Sequence, residues 1–422
     1  MLRDKNGNII TDVAGKILKP ITPPDIEWEI NSNTFPPQGQ ATPYFRLQTK
    51  SGSNTVYFDY GDGSPIASIP FTTAVTSIPT YVYPSGVAAR TVKMWFADNN
   101  NVSSLNVARQ NFIGKFPENL LFYRINTIAF SNLIFDDFPL GLGGGIFPVL
   151  TLISITRNVI NYIPNWITNS RVSVLQISGL NLADKTTNRL DKLIKIPNLA
   201  HLGLGSSAIT TASLPTNFKN IEPLRTLGFN FNPVTTISQE INDCKQITRL
   251  SWGYDTTVNW TSSGNSVPIT DWGVGIGGMN LNSFVICGNT SGQLTTTPPK
   301  GIEDCPTLRT IDYRSSYRAN QARMDELVTN FYNKTVEFAT LSNSSAVNGV
   351  LRKINFDISW INGASGANNR PSGTYQAPSG FSLGVNNGIP ASAMEMLYVL
   401  VMHYKWVITI MNTALSGTQI LS

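Results

Sequence analysis

A short leucine-rich phrase recurs along the chain and constrains the fold more than any other feature. It has the form L-x-x-L-x-L, and in several copies an Asn and a further aliphatic residue follow. Clear copies start at Leu150, Val172, Leu199, Leu224, Ile247, Leu281 and Leu308, and weaker ones at Ile125 and Leu351. Such a period predicts a solenoid of stacked units. Because solenoids usually present an extended surface, the pattern favours a binding or structural protein over an enzyme.

The spacing of the copies divides this region into a regular and an irregular part. From Ile125 to Ile247 the starts lie 25, 22, 27, 25 and 23 residues apart, and after Ile247 the intervals become 34, 27 and 43. The regular part resembles the leucine-rich repeat family in its spacing. The segment Leu214-Pro-x-x-Phe218-x-x-Ile221 also resembles the convex segment of that family. The resemblance implies a parallel β-sheet with an irregular or helical convex side over residues 109–422. It also implies that Asn158, Asn232 and Asn289 bond backbone groups inside the turns. The long intervals predict insertions at 253–280, 314–350 and 357–393, followed by a C-terminal cap.

Residues 25–108 have a β pattern, and residues 1–24 form a polar arm or linker that is expected to dock on a partner. Val56, Phe58 and Tyr60 alternate with Tyr57 and Asp59, and Gly61-Asp62-Gly63 predicts a turn. Together with Thr80–Gly86 and Arg90–Asp98, this stretch resembles a polycystic-kidney-disease (PKD)-type, Ig-like β-sandwich, with a long polar insertion between Ser64 and Thr80. Asp59 and Asp62 are candidates either for calcium binding or for stabilising the turn.

The composition excludes several classes of partner. Charged residues make up 14% of the 422 residues, against about 25% in an average soluble domain, and Thr, Ser, Asn and Gly take their place. The net charge is +5, and no run of Lys or Arg is present that would follow a phosphate backbone. The longest apolar stretch, Met396–Met402, is too short to span a bilayer. We therefore expect neither nucleic-acid binding nor membrane insertion, and the polar start gives no indication of a secretory signal.

Apart from the turn at Asp59 and Asp62, for which turn stabilisation is favoured, nothing in the sequence has the pattern of a catalytic, metal or cofactor site. Cys244 and Cys305 each lie three residues before a repeat start, which predicts core positions. His201 and His403 have no motif that would supply a catalytic partner, and His403 is expected to be packed. The glycine-rich stretches 141–145 and 273–278 lack the G-K-S/T ending of phosphate loops and are predicted to be flexible loops. We expect no catalytic residue, no metal and no cofactor.

The predicted binding site is the concave face of the solenoid, formed by residues between and after the inward aliphatic positions. Ten residues are predicted there: Arg157, Gln176, His201, Asn230, Arg249, Tyr254, Asp312, Arg314, Lys353 and Asp357. Trp260, Trp272 and Tyr317 in the insertions are predicted aromatic anchors beside this surface. Residues 318–333 and 391–404 are predicted helices, and the second helix should close the C-terminal end together with a strand over 406–411.

These features favour a virion structural or adhesion protein of a tailed bacteriophage: a fibre, head-decoration or tail appendage protein. Its expected partners are other virion proteins, through the N-terminal arm, and a host surface protein or glycan, and copies of the chain are possible partners of one another. The main alternative is a bacterial cell-surface adhesin with leucine-rich repeats. A glycan-degrading enzyme with its site after Ile247 is a third hypothesis, which hydrolysis of host polysaccharide would establish.

Overall fold

The structure of the protein is a computed structural model. It describes residues 23–30, 45–79, 81, 90–108, 112–114, 125–131, 134–135, 150–156, 163, 165–179, 190–205, 209–210, 217–229, 232, 236–253, 272–287, 300–305, 307–312, 321–340, 355–358, 371–412 and 417–421. The chain forms two compact units, Met1–Leu199 and Ala200–Ser422.

The described part of the first unit consists mainly of strands. They are β1 (Ile26–Ile30), β2 (Phe45–Thr49), β3 (Ser53–Asp59), β4 (Ala67–Thr72), β5 (Thr76–Ser77), β6 (Arg90–Phe96), β7 (Val102–Ala108), β8 (Phe112–Gly114), β9 (Thr127–Ser131), β10 (Ile134–Phe135), β11 (Leu152–Thr156) and β12 (Val174–Ser178). Short 3-10 turns lie at Asn99–Asn101, Asn165–Asn169 and Leu193–Lys195. One sheet has the order β10-β8-β1-β6-β3-β4, and a second runs β5-β2-β7-β9-β11-β12.

The two sheets face each other through aromatic side chains. The ring of Phe45 on β2 lies 5.3 Å from the ring of Phe58 on β3, and both residues are fully buried. The predicted alternation along β3 is only partly correct, because Tyr57 on the other face is also buried. Tyr57 is directly opposite Trp95 of β6, which is buried as well. The face of the sheet that carries Tyr57 and Trp95 is therefore also shielded from solvent at this point.

Strand β7 belongs to both parts of the first unit. It pairs antiparallel with β2 on one side and parallel with β9 on the other. From β9 onward the pairing stays parallel, with Ile128, Ile153 and Leu175 in one row. The sheet of the N-terminal region therefore continues into the first repeats, although the sequence predicts a domain boundary at residue 108.

The second unit is a parallel β-stack, as the repeats predict. Its strands are β13 (His201–Gly205), β14 (Thr226–Gly228), β15 (Arg249–Gly253), β16 (Ser283–Cys287), β17 (Thr310–Asp312), β18 (Asn355–Ile358), β19 (Val407–Asn412) and β20 (Gly417–Leu421). Strands β13 to β19 pair in chain order and in parallel, and β20 pairs antiparallel with β19. The other side of the stack carries 3-10 turns at Phe218–Asn220 and Ile302–Asp304 and the helix α1 (Gln239–Asn242).

The core of the second unit consists of the repeated aliphatic positions. Leu227, Leu250 and Phe284 lie side by side in the sheet and are fully buried, so each strand depends on its neighbours to remove this face from water. The predicted core role of Cys244 and Cys305 is confirmed, since both are fully buried. Their thiols donate to the carbonyl oxygens of Glu240 and Ile276, and burial raises the pKa of the Cys244 thiol to about 12.

The second unit also contains two longer helices, one between β17 and β18 and one between β18 and β19. Helix α2 (Gln321–Thr340) buries Met324, Leu327, Val328 and Phe331 on one face, as predicted. The predicted end at residue 333 is wrong, because the buried face continues to Thr335, whose hydroxyl bonds the carbonyl of Phe331. Helix α3 (Ala393–Met402) begins at Ser392, whose side chain accepts from the amide of Glu395. Among the residues that the structure describes, no helix is both long and apolar enough to cross a bilayer.

Candidate binding surface

A row of polar side chains runs across the second unit on the face opposite the aliphatic core. It takes one residue from each of five successive strands, each placed one residue before a core position. The row consists of His201, Thr226, Arg249, Ser283 and Thr310, which are direct neighbours in the sheet register. Successive side chains of a strand alternate between the faces, so the buried neighbours of these residues fix the row on the concave side. We call these five residues the polar row.

Hydrogen bonds within the polar row link neighbouring strands. Nδ1 of His201 lies 3.0 Å from the hydroxyl of Thr226. An Nη of Arg249 donates to the hydroxyl of Ser283 over 2.7 Å. Burial lowers the pKa of His201 from its ordinary value, so the ring is neutral near pH 7. These contacts hold the side chains in fixed positions and leave His201, Arg249 and Thr310 half-buried rather than covered.

The next row along the strands is much less accessible. Gly203, Gly228, Ser251 and Val285 occupy it, followed by Asp312. Ser251 has no exposed surface and Val285 is 3% exposed, whereas Asp312 is half-buried. In the described part of this face, the accessible side chains are therefore His201, Arg249 and Thr310 of the polar row and Asp312.

The structure places five of the ten predicted binding residues. His201, Arg249 and Asp312 lie on the concave side of the second unit, and Asp357 is the register partner of Asp312 on the neighbouring strand. Gln176 lies on β12 of the first unit and is only 9% exposed. Arg157, Asn230, Tyr254, Arg314 and Lys353 lie outside the described residues. The prediction missed Thr226, Ser283 and Thr310, although they hold the same place in the repeat as His201 and Arg249.

The predicted role of Trp272 as a surface anchor is wrong. Its side chain is 3% exposed, and its ring lies 6.1 Å from that of the core residue Phe284. Trp272, Ile276 and Met279 fill the convex side of the repeat that leads into β16. Trp260 and Tyr317, the other two predicted anchors, lie outside the described residues.

The glycines after Trp272 form a closely packed segment, contrary to the prediction of a flexible loop. A Cβ on Gly273 would lie 2.4 Å from the carbonyl oxygen of Ile237, and one on Gly275 would lie 2.6 Å from that of Lys300. The segment therefore fits between the convex segments of the repeats on either side because it has no side chains at these points. The glycine-rich stretch 141–145 lies outside the described residues.

The other polar residues noted in the sequence have structural contacts. The amides of Gly61 and Ser64 donate to Asp59 and Asp62 over 3.0 and 2.9 Å, and the hydroxyl of Tyr81 donates to Asp62 over 2.6 Å. These bonds are those of a carboxylate that stabilises a turn. Within the described part of the chain, no three His, Cys, Asp or Glu residues are grouped so that they could hold a metal ion. His403 is half-buried at the end of α3, with its ring against Tyr404.

Comparison with known proteins adds a distant structural likeness. No protein-family model matches the sequence, and no curated protein matches it. Among solved structures, the chain is similar to an internalin (inlF) from Listeria monocytogenes, with 13% sequence identity and a TM-score of 0.35. The alignment covers 52% of this chain and 59% of the internalin chain, which is less than two thirds of the internalin's length.

Proposed function

We propose that this protein is a non-enzymatic binding protein that contacts a macromolecule through the concave face of its second unit. The observation that supports the proposal is the polar row, in which five strands in register carry polar side chains at one level of the sheet. His201, Arg249 and Thr310 are half-buried and accessible, whereas Thr226 and Ser283 are buried between them. A rigid stack that fixes such side chains lowers the entropy lost on binding. The stack thereby favours recognition of an extended partner over binding of a small molecule.

The chemistry of the polar row suits a hydrogen-bonding partner such as a host surface protein or glycan. Arg249 supplies several N–H donors in a planar fork, and Thr310 supplies a hydroxyl that both donates and accepts. Asp312, in the adjacent row, adds an acceptor on the same strand as Thr310. A partner with alternating donors and acceptors would match this arrangement, whereas an anionic polymer would gain only a single cation along the described polar row.

Substitution of Arg249 tests the concave face directly. We expect Arg249→Ala to weaken binding of the purified full-length chain to intact host cells at least tenfold, without a change in the circular dichroism spectrum. Lys245→Ala is a matched control, because Lys245 is exposed in the same repeat but lies between α1 and β15. Equal binding by the two variants would contradict the proposal.

The setting that we propose is the virion of a tailed bacteriophage, where the protein would serve as a fibre, head-decoration or tail appendage protein. The low proportion of charged residues, with Thr, Ser, Asn and Gly in their place, supports this setting. In this proposal the two sheets of the N-terminal region are a PKD-type module, and residues 1–24 dock on other virion proteins. A bacterial cell-surface adhesin is the alternative setting, and a glycan-degrading enzyme is a third hypothesis.

Immunogold labelling with an antibody to the second unit separates these settings. Regular labelling at one position on purified particles is the expected result, and the position distinguishes a head role from a tail role. Labelling of a bacterial envelope in place of particles would establish the adhesin. Mass photometry of the full chain and of a chain without residues 1–24 tests the further expectation that copies associate through the N-terminal region, and two monomers would contradict it.

A further inference from the structure

A second surface of this protein has a chemistry quite different from the polar row. It lies in residues 379–389, just before α3, within the insertion that the sequence predicts at 357–393. The described chain there forms a tight hairpin, with isolated bridges between Ser379 and Ile389 and between Ser382 and Asn386. Both backbone hydrogen bonds between Ser382 and Asn386 are formed, at 2.9 and 2.8 Å.

Three aliphatic side chains of this hairpin are held in solvent. Leu383 is 56% exposed, Val385 82% and Ile389 79%. Large exposed apolar side chains that lie close together on an ordered element usually mark an interaction site, whereas single ones need no explanation. A Cβ added at Gly384, between Leu383 and Val385, would meet no atom within 4 Å, so the tip of the hairpin is open to solvent on that side.

The base of the hairpin is fixed to the C-terminal helix. The ring of Phe381 packs edge-on against that of Tyr398 on α3, with 5.4 Å between centroids. The Nδ2 of Asn387 donates to the hydroxyl of Tyr404 over 2.8 Å. Phe381 and Asn387 therefore point towards the protein, and their neighbours point outwards. Because these contacts fix the backbone of the hairpin, little backbone entropy is lost when a partner binds the exposed aliphatic side chains.

The charge of the segment excludes one class of partner. Residues 371–392 contain no Asp, Glu, Lys or Arg. A segment that inserts into an anionic membrane surface normally has basic residues beside its apolar ones, and a nucleic acid would likewise require cations. The segment instead matches an uncharged apolar surface.

The size of the patch argues against a symmetric contact between two copies through this hairpin alone. At the exposed fractions given above, the three side chains offer roughly 300 Å² of apolar surface. Two such patches face to face would bury about 600 Å², below the roughly 1,200 Å² at the lower end of stable interfaces. A recess on a partner would cover the flanks of the hairpin as well as its tip, so the same element would bury more surface there than in a face-to-face contact.

We propose that the hairpin 379–389 is a docking element that inserts Leu383, Val385 and Ile389 into an uncharged apolar pocket on a partner protein. Insertion of a rigid apolar tip into a pocket gives one small, central region that carries most of the binding energy. The hairpin is separate from the polar row in sequence and in chemistry. Its proposed docking role therefore does not depend on what the polar row binds.

Site-specific photo-cross-linking of the full-length chain tests this assignment. A benzophenone amino acid in place of Val385 should cross-link the chain to one partner protein in the cells that make it. The cross-linked peptide of that partner should contain no charged residues. The matched control carries it in place of Val75, which is 58% exposed but lies between β4 and β5 of the first unit. That control should give no such product. When Leu383→Ser and Ile389→Ser are both introduced into the chain that carries the probe at position 385, the yield of the cross-linked product should fall at least tenfold.

The remaining outcomes would each overturn the proposal. One is an equal yield of the cross-linked product from the probe at position 75, and another is a cross-link to a partner peptide that contains charged residues. The others are a cross-link to a second copy of this chain and the absence of any cross-linked product. Sedimentation of the purified chain with phosphatidylcholine–phosphatidylglycerol vesicles should show no binding, and vesicle binding lost in Leu383→Ser/Ile389→Ser would assign the hairpin to lipid. Arg249→Ala should leave the cross-link unchanged, so a failure of the function proposed for the concave face is distinguishable from a failure here.

Discussion

The side-chain amide of Asn232 donates a hydrogen bond to the backbone carbonyl of Leu204, which lies in the preceding repeat. Its Oδ1 accepts from the amide of Ile209 over 3.2 Å, and Asn232 has no exposed surface. One side chain therefore bonds two backbone groups inside a turn. This is the role that the leucine-rich repeat resemblance implies for Asn232, and it is confirmed here. Asn158 and Asn289 lie outside the described residues.

Replacement of Asn232 by Ala should lower the free energy of unfolding by about 1–3 kcal/mol, because the two buried backbone groups lose their partners. Urea denaturation of the two proteins measures this difference. Asn220→Ala is the control, since Asn220 is exposed and should change the stability by less than about 0.5 kcal/mol. Equal losses would show that the amide of Asn232 is not what matters.

Leu227→Ala should cost about 2–5 kcal/mol, because Leu227 is fully buried between Leu202 and Leu250 of the neighbouring strands. Leu383→Ala removes the same atoms from a side chain that is 56% exposed and should cost far less. Thermal unfolding followed by circular dichroism compares the two variants. If hydrogen exchange in Leu227→Ala quickened only within β14, the dependence of each repeat on its neighbours would be refuted.

Gly273→Ala should destabilise the protein by more than about 2 kcal/mol, since the added Cβ would lie 2.4 Å from the Ile237 carbonyl oxygen at a φ of 54°. Gly384→Ala has a comparable positive φ of 75° but meets no atom within 4 Å. Its cost should be limited to the backbone strain of about 1–2 kcal/mol. A difference between the melting temperatures of these variants measures the close packing alone.

Stability should fall in mildly acidic solution because of His201. Burial lowers its pKa in the folded state below the ordinary value of 6.5, so the unfolded chain takes up a proton first as the pH falls. The contribution is therefore complete above pH 6.5 and is lost as the pH drops from there towards the folded-state pKa. Urea unfolding at pH 7.5 and 5.5 should show a smaller loss for His201→Gln than for the natural chain. An NMR titration of the ring that gave a pKa above 6.5 would contradict this.

The repeat phrase alone predicts much of the fold. Each copy places its aliphatic residues at the same positions of a strand, and these positions are buried when the strands stack in parallel. Leu227, Leu250 and Cys244 could all be placed in this way. Trp272 could not, since whether an aromatic residue faces solvent or core depends on how the neighbouring repeats close over it. The tight packing at Gly273 likewise depends on Ile237, which is distant in sequence.

The candidate surface was predicted less completely than the core. Register alone could have identified Thr226 and Ser283, which stand before core leucine or phenylalanine positions just as His201 and Arg249 do. The prediction favoured charged residues and passed over these hydroxyl groups. The burial of Ser251 and Val285 on the same face could not be foreseen, because a strand pattern does not say what covers its second face.

The double pairing of β7 has a mechanical consequence for the first unit. A pulling force on the N-terminal sheets would reach β9 and the repeats after it through a row of lateral backbone hydrogen bonds, which must shear together before the two parts separate. A single tether would instead let the parts swivel. If the N-terminal region is attached to a large body, the direction in which the first repeats point is therefore set by that attachment and not by free rotation about a joint.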